Sequence, residues 1–249
     1  MKVKLTITKS ACRSNYHTQG ETHIVEDICL PICHELWHVA YPNIMVLQNG
    51  GTLDFGDARE KRFEVRCPDQ GRVVMTGELV ELELVKPTIE MEAAALDFVS
   101  EFKMNNENMI NGCCGLTRYS DYSEWINYIE QVENGLVPER VASSTYFAVN
   151  TSSNSIVGII DIRHALPKKH FYSGHIGYSV RPSERQKGYG TEILRLGVKK
   201  ANKLNLKKIL VVCSKNNIAS IKVIENNNGI FEKEILPDGE TDLVYWICK

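Results

Sequence analysis

The chain has 249 residues, of which 43% are hydrophobic and 24% are charged, an average globular composition that excludes a mainly disordered protein. Its 29 basic and 31 acidic residues leave a net charge of -2, which argues against a surface for nucleic acid or for an anionic membrane. No apolar run approaches the ~20 residues that cross a bilayer. The start of the chain does not resemble a signal peptide, so we expect a cytoplasmic protein.

The first part of the chain predicts a small α+β unit. Alternation over Val3–Ile7 predicts a half-buried strand. Helical spacing follows over 31–40, and Pro42 is placed to open a second helix that ends at Asn49-Gly50-Gly51. Two strands are predicted over 63–67 and 72–80, on either side of a proline-containing turn.

From Leu82 the pattern changes to alternating strands and helices, so we divide the chain into domains 1–81 and 82–249. The predicted order of the second domain is β-α-α-β-β-β-α-β-α-β-β, and the apolar run Ile209–Cys213 is typical of a strand buried on both faces. The predicted strands are 82–85, 145–150, 155–162, 174–180, 209–213, 230–235 and 243–248, and the predicted helices begin at Thr88, Ser123, Gly188 and Asn217.

The sharpest local motif is the turn Arg185-x-x-Gly188-x-Gly190, which joins the fourth predicted strand of this domain to a helix. Glycines let backbone N–H groups approach a phosphate, and a helix start adds a positive dipole end. The motif alone is also compatible with a solvated helix start. A dinucleotide site would use G-x-G-x-x-G after the first strand, so the position of the turn disfavours NAD.

Five short sequence segments carry a family resemblance in addition to this order of elements: Ser143–Tyr146, Gly158–His164, Gly174–Tyr178, Arg181–Arg185 and Asn217–Lys222. Together they resemble the GNAT superfamily of acyl-CoA-dependent N-acyltransferases, and within it a bacterial branch of acetyltransferases. The resemblance covers residues 82–249. It implies an α/β (α+β) fold with a central mixed sheet, acetyl-CoA as the acyl donor, and an amine as the acceptor.

The resemblance also implies a cofactor site. In that superfamily the fourth strand diverges from the fifth and its backbone holds the pantetheine arm, which here corresponds to Tyr178, Ser179 and Val180. The pyrophosphate corresponds to the turn and its flanks: Arg185, Gln186, Lys187, Gly188, Tyr189, Gly190 and Thr191. Asn217 occupies a position whose side chain contacts coenzyme A or the reacting centre, and Ser220 lies one helical turn further on.

Acetyl transfer to an amine needs a base, an oxyanion donor and a route for the proton of the leaving thiol. For the base we select His175, whose imidazole suits proton transfer near neutral pH; the alternative is that its side chain lies in the core or only binds substrate. Asp161 and His164 are weaker candidates for the same role. The oxyanion donor would be a backbone N–H near Val180.

One position departs from the family pattern. Many relatives carry a tyrosine seven residues after the Asn, as the acid for the thiolate, and this chain has Ile224 there. Tyr146, Tyr178 or solvent could replace it, or the thiolate could leave without an acid. The missing tyrosine also keeps open a non-catalytic module that senses acyl-CoA and acts through the first domain.

The first domain resembles a family of small uncharacterised prokaryotic proteins, through Cys29 or Cys33, Leu36, Tyr41-Pro42, Leu47 and Gly50-Gly51. Cys29, Cys33, His34 and His38 fall within ten residues, with His17 and His23 upstream. Their spacing is not that of a standard zinc knuckle, so we assign no metal and interpret the cluster as structural; the alternative is a zinc or iron site. The terminal strands could pair between two subunits, which would give a homodimer.

Overall fold

Two units make up the chain in the computed structural model, Met1–Glu81 and Leu82–Lys249, and we treat them separately. The structure describes residues 2–25, 32–80, 82–151, 153–236 and 239–248. The predicted mixed α/β architecture is confirmed. Within the described ranges no helix exceeds 15 residues, and none has the length and apolar character needed to cross a bilayer.

The first unit packs one helix against an antiparallel sheet ordered β2-β1-β6-β5. The strands are β1 (Lys2–Ser10), β2 (Thr22–Val25), β3 (Leu53–Phe55), β4 (Ala58–Glu60), β5 (Arg62–Arg66) and β6 (Val73–Val80), and the helix is α1 (His34–Gln48). Strands β3 and β4 form a separate hairpin. The sequence did not predict β2 or this hairpin, because both are short and only partly buried.

The prediction of two helices separated before Pro42 is wrong, because α1 runs through this proline. Four residues at helical spacing, Leu36, Ala40, Ile44 and Leu47, form one buried stripe that packs in the core of the unit. Asn43 Nδ2 also donates to the carbonyl of Val39, 3.2 Å away, within the turn that contains the proline. Burial of the continuous stripe therefore outweighs the hydrogen bond that proline removes.

The second unit follows the predicted order of elements. Its strands are β7 (Leu82–Val85), β8 (Ser143–Asn150), β9 (Ser155–Arg163), β10 (Ile176–Val180), β11 (Lys208–Ser214), β12 (Ile230–Ile235) and β13 (Asp242–Cys248). Its helices are α2 (Glu92–Met104), α3 (Tyr122–Glu133), α4 (Tyr189–Lys203) and α5 (Ile218–Glu225). The strands form two sheets, ordered β10-β9-β8-β7 and β11-β13-β12.

The larger sheet is covered on both faces. Helices α2 and α3 cover one face with an aromatic core in which Phe98 and Trp125 pack on Phe147 of β8. Helix α4 covers the other face at a glycine: a Cβ on Gly197 would lie only 2.4 Å from Cδ1 of Ile160. Side chains that alternate along β8 and β9 therefore enter two different environments.

Candidate active site

A gap opens where β10 meets β11. The N–H of His175, just before β10, donates to the carbonyl of Leu210 at 2.8 Å, yet β10 and β11 belong to different sheets. The N–H of Arg181 donates to Val157 of β9. Because backbone groups alternate along a strand, those of Tyr178 and Val180 point away from β9, toward the gap.

Beyond β10 the chain forms a turn that leads into α4. Gln186 and Gly188 both have positive φ, 60° and 82°, and Gly188 is the residue that precedes the helix. The first N–H groups of a helix have no acceptor within the helix. The turn therefore directs backbone donors and the positive end of α4 to one place beside the gap.

An ion-pair network holds the base of this turn on α2. The guanidinium of Arg181 contacts Asp97 and donates from Nε to Oε2 of Glu101 at 2.5 Å. The other oxygen of Glu101 accepts the N–H of Ser183 at 2.6 Å. Burial alone would raise the pKa of Glu101, but its hydrogen bonds to Arg181 and Ser183 hold that pKa below the ordinary value.

Both cationic side chains of the turn already contact carboxylates. Arg185 makes a two-pronged contact with Glu107, at 2.6 and 2.7 Å, and this contact lowers the pKa of Glu107. Lys187 donates to Glu184 at 3.0 Å. A phosphate at this turn would therefore depend chiefly on backbone N–H groups, with these cations nearby but engaged.

Three polar side chains line the α5 side of the gap. The hydroxyl of Tyr178 lies 3.0 Å from Oγ of Ser220, and Oδ1 of Asn217 accepts the N–H of Ser220, which caps α5. Burial raises the pKa of Tyr178 to about 12 and that of Cys213 on β11 to about 11. Position 224 of α5 is a fully buried isoleucine, Ile224. It therefore offers no hydroxyl to the gap.

A family model for the acetyltransferase (GNAT) domain matches residues 82–229, more than half of the chain. The chain belongs to the GNAT acetyltransferase family. The expected resemblance is thus confirmed for the second unit, which we call the acetyltransferase unit. No curated protein matches the sequence.

Solved structures share the fold at low identity. RimL, a ribosomal L7/L12 α-N-protein acetyltransferase in complex with coenzyme A, is 17% identical with a TM-score of 0.50, covering 67% of this chain and 93% of its own. The microcin C7 self-immunity acetyltransferase MccE, in complex with acetyl-CoA and AMP, is 15% identical with a TM-score of 0.51. The match covers 68% of this chain and 93% of MccE. The ribosomal-protein-S5-alanine acetyltransferase of Vibrio fischeri is 16% identical with a TM-score of 0.47. The match covers 67% of this chain and 91% of that protein.

His175 of the acetyltransferase unit is only 6% exposed, and its ring takes part in the contact between the two sheets. Its Nδ1 accepts the backbone N–H of Leu210 at 2.9 Å, so a neutral ring carries its proton on Nε2. Neither ring nitrogen then offers a lone pair to an incoming amine. This geometry favours the core alternative over a base.

We predict that His175→Asn preserves both stability and acetyl transfer, because the amide oxygen can occupy the place of Nδ1. His175→Leu should cost about 1–3 kcal/mol in the free energy of unfolding, because it leaves the buried N–H of Leu210 without an acceptor. Urea unfolding and a coenzyme A release assay measure the two effects. A stable Asn variant that has lost acetyl transfer would restore His175 as the base.

Burial, and then the nearby Arg163, lower the pKa of His175 below its ordinary value of 6.5. The unfolded chain therefore binds a proton at this site more readily than the folded one. The contribution of the neutral ring to stability is present above pH 6.5 and is lost as the pH falls below that value. The Asn variant should lack this part of the acid destabilisation.

The two weaker candidates lie in different places. His164 Nε2 is 2.8 Å from Oγ of Ser144, whose hydroxyl donates to Glu133, which also pairs with Lys86. Burial lowers the pKa of His164. Asp161, in contrast, is 4% exposed and lies on the strand next to β10. Asp161 is thus a buried carboxylate one strand away from the gap, whereas His164 belongs to the Glu133 network.

The metal-ligand candidates of the first unit do not converge as a group. Cys29 lies outside the described residues, and His34 and His38 are exposed on α1. His17 and His23 instead lie within hydrogen-bond range of Glu21, and the three side chains could geometrically face one ion.

The hydrogen bonds of His17 work against a metal at this place. Its Nε2 accepts the backbone N–H of Cys33 at 3.1 Å, so its proton is on Nδ1, facing Glu21. A metal ion at Nδ1 would need that nitrogen deprotonated, and a metal-bound histidine usually donates from its other nitrogen. We therefore assign the cluster a structural role in joining the loop to the start of α1.

Proposed function

We propose that the acetyltransferase unit moves an acetyl group from acetyl-CoA directly to a primary amine of an acceptor. The observation that carries the proposal is the gap between β10 and β11, which opens beside the glycine turn at the start of α4. The gap provides backbone groups for an extended amide-bearing arm, and the turn provides donors for phosphates.

The predicted cofactor residues divide by chemistry. Backbone groups of Tyr178, beside Ser179, would bind the pantetheine amides together with the carbonyl of Val180, which here accepts a hydrogen bond from Nε of Arg185 at 3.2 Å. N–H groups from Gln186 to Thr191 would bind the pyrophosphate, with Gly188 allowing close approach, and Lys187 and Arg185 adding positive charge. Asn217 and Ser220 would face the pantetheine arm from α5; Asn217 would act mainly through the orientation of Ser220, which it caps.

The reaction begins with attack of the neutral amine on the thioester carbonyl carbon. The N–H of Val180 would bind the oxygen as it becomes negative. The carbon–sulfur bond then breaks and its electron pair goes to sulfur, which takes up a proton. Because the side chain of Ile224 has no transferable proton, the hydroxyls of Tyr178 and Ser220, which lie 3.0 Å apart on the α5 side of the gap, would hydrogen-bond the thiolate.

The acceptor class remains a primary amine of a small molecule or a protein. Two of the solved relatives are named for acetylation of ribosomal proteins, so an N-terminal peptide belongs in any screen.

The seven described cysteines are free thiols, which supports action in the reducing cytoplasm. Residues 1–81 are proposed as an accessory domain, and exposed Ile230 and Phe231 on edge strand β12 support a homodimer.

A second function, a non-catalytic sensor of acyl-CoA, is favoured by one observation. The position where the family commonly places its acidic tyrosine holds a fully buried isoleucine, Ile224. Such a module would bind coenzyme A and have no turnover.

The first test compares thermal stabilisation by acetyl-CoA, coenzyme A and NADH. A ligand at 100 times its Kd should add about 2.7 kcal/mol to the stability of the unit that binds it, which is a shift of several degrees. We expect a shift with both coenzyme A forms and none with NADH. Release of free thiol with peptides, polyamines and aminoglycosides then separates the enzyme from the sensor.

No shift with either coenzyme A form would contradict the cofactor site. A shift without thiol release in the presence of any amine would favour the sensor.

A further inference from the structure

A buried carboxylate lies at the polar end of the sheet face that α2 and α3 cover. Phe147 and Ile159 pair across β8 and β9 within the apolar core. Two positions away, toward the start of β8 and the end of β9, Thr145 pairs with Asp161. Side chains two positions apart share a face. The core therefore becomes polar at Asp161, whose Oδ1 accepts the hydroxyl proton of Thr145 at 2.9 Å.

The positively charged side chains around the Asp161 carboxylate make their hydrogen bonds to other groups. Arg140 donates to the hydroxyl of Tyr128 at 2.6 Å and to Sγ of Cys114 at 3.1 Å. Arg163 donates to the carbonyls of Ser173 and Gly174. His164, near the end of β9, belongs to the Glu133 network. In the described part of the chain, no cation therefore makes direct contact with Asp161.

A second polar group beside the carboxylate has an unmet hydrogen bond. Ser143, two residues before Thr145 on the same face, is 2% exposed. Its hydroxyl is close enough to Asp161 to lower the pKa of that carboxyl, yet its geometry is not that of a hydrogen bond to any described group. A buried polar group left in this state costs about 1–3 kcal/mol, which points to a partner that binds there.

The carboxylate is also close to the gap. Asp161 pairs with Gly177 of β10, and neighbouring strands lie about 4.8 Å apart. The gap lies along the other edge of β10. A group bound at Asp161 is thus within about two strand spacings of a thioester held along that edge.

We propose that Asp161 and Ser143 form the subsite that binds the acceptor's amino group, with Asp161 as the proton acceptor. This inference rests on the proposed function. A primary ammonium group would donate one N–H to Asp161 and another to Ser143. Asp161 takes one proton, the freed nitrogen lone pair attacks the thioester carbon, and a second nitrogen proton reaches the departing thiolate.

The burial of Asp161 supports this role. Burial raises the pKa of Asp161, which makes its carboxylate a stronger base than an exposed one. The hydroxyl of Ser143, the positive charge of Arg163 and the hydrogen bond from Thr145 act in the opposite direction and favour the ionised form. The subsite requires at least two N–H donors on one nitrogen, so it selects primary amines over tertiary and quaternary ones.

A direct test follows the titration of Asp161 by 13C NMR in the full-length protein labelled at aspartate carboxyls. Asp161→Asn identifies the signal by its disappearance. Methylammonium should move the midpoint of the Asp161 titration to lower pH, because a bound cation favours the carboxylate. Tetramethylammonium, which has no N–H, should leave it unchanged. An equal shift of the Asp161 titration midpoint with both ions, or no shift with either, overturns the proposal.

Kinetics with the most active amine of the screen supply a second test. Asp161→Asn should lower kcat/KM by about 100-fold or more. Ser143→Ala should raise the KM for the amine about tenfold, with the KM for acetyl-CoA unchanged, and should not destabilise the fold, because it removes an unmet hydroxyl. Thr145→Val should move the acid limb of the pH profile to higher pH.

Ser144→Ala is the matched control. Its hydroxyl contacts Glu133 and His164 instead, so this variant should lose stability and keep its KM for the amine. An unchanged amine KM in Ser143→Ala, or wild-type turnover in Asp161→Asn, would overturn the subsite. Coenzyme A stabilisation measured on every variant keeps the outcome separate from the proposed function, since a lost shift in the wild type would point to the cofactor site.

Discussion

Gly188→Asp is expected to weaken binding of acetyl-CoA by about 100-fold or more. Gly188 has a φ of 82° directly before α4, a conformation that an L-residue adopts only at a cost. The new carboxylate would also stand where the turn should receive a pyrophosphate, and two negative charges about 4 Å apart repel by ~4 kcal/mol at an effective dielectric constant of 20. Titration calorimetry with acetyl-CoA measures the change.

Gly135→Asp is a matched control for this experiment. Gly135 also has a positive φ, 69°, and a Cβ there would meet no atom within 4 Å. It follows α3 and is separate from the turn. The backbone cost should therefore be similar while the affinity for acetyl-CoA stays at the wild-type value. Equal affinities of the two variants would mean that the phosphates bind elsewhere.

The turn and the order of elements could be predicted because they depend on local chemistry. Period-two alternation, continuous apolar runs and the glycines of the turn are all visible within short windows of sequence. The divergence of β10 from β11 came only from the family resemblance. No local pattern encodes it, because it depends on which strands belong to the same sheet.

Roles that depend on long-range contacts could not be predicted. His175 is a polar residue at the start of a strand, and only the position of Leu210 reveals that its ring replaces a backbone acceptor. The sequence suggested Asp161 as a weak candidate, whereas Ser143 gave one faint signal, a hydroxyl at an inward position of an otherwise apolar strand. In α1, local proline chemistry predicted a break that the buried stripe overrides.

Gly112→Ala should destabilise the acetyltransferase unit and disturb the acceptor side, the part of β10 at Gly177 that pairs with Asp161, while sparing the cofactor turn. The loop over residues 111–115 lies directly on β10: a Cβ on Gly112 would come within 2.3 Å of the carbonyl oxygen of Gly177. The loop is held there by the hydroxyl of Ser179, which donates to Asn111 at 2.9 Å, and by the indole of Trp125, which donates to Cys113. Because the new methyl group meets backbone, the loop must move.

Gly115→Ala separates this clash from the cost of backbone conformation. Gly115 has nearly the same φ, 83° against 79°, yet a Cβ there would meet only side-chain atoms, the nearest 3.8 Å away. Both variants carry the ~1–2 kcal/mol cost of a positive φ, and Gly112→Ala should lose a further ~1–3 kcal/mol by overpacking. Acetyl-CoA affinity should stay within a few-fold in both, while turnover with the amine falls at least tenfold only in Gly112→Ala. Equal losses of stability and turnover in the two variants would show that the loop is not held on β10, and the acceptor side would then have to be sought on another face of the sheet.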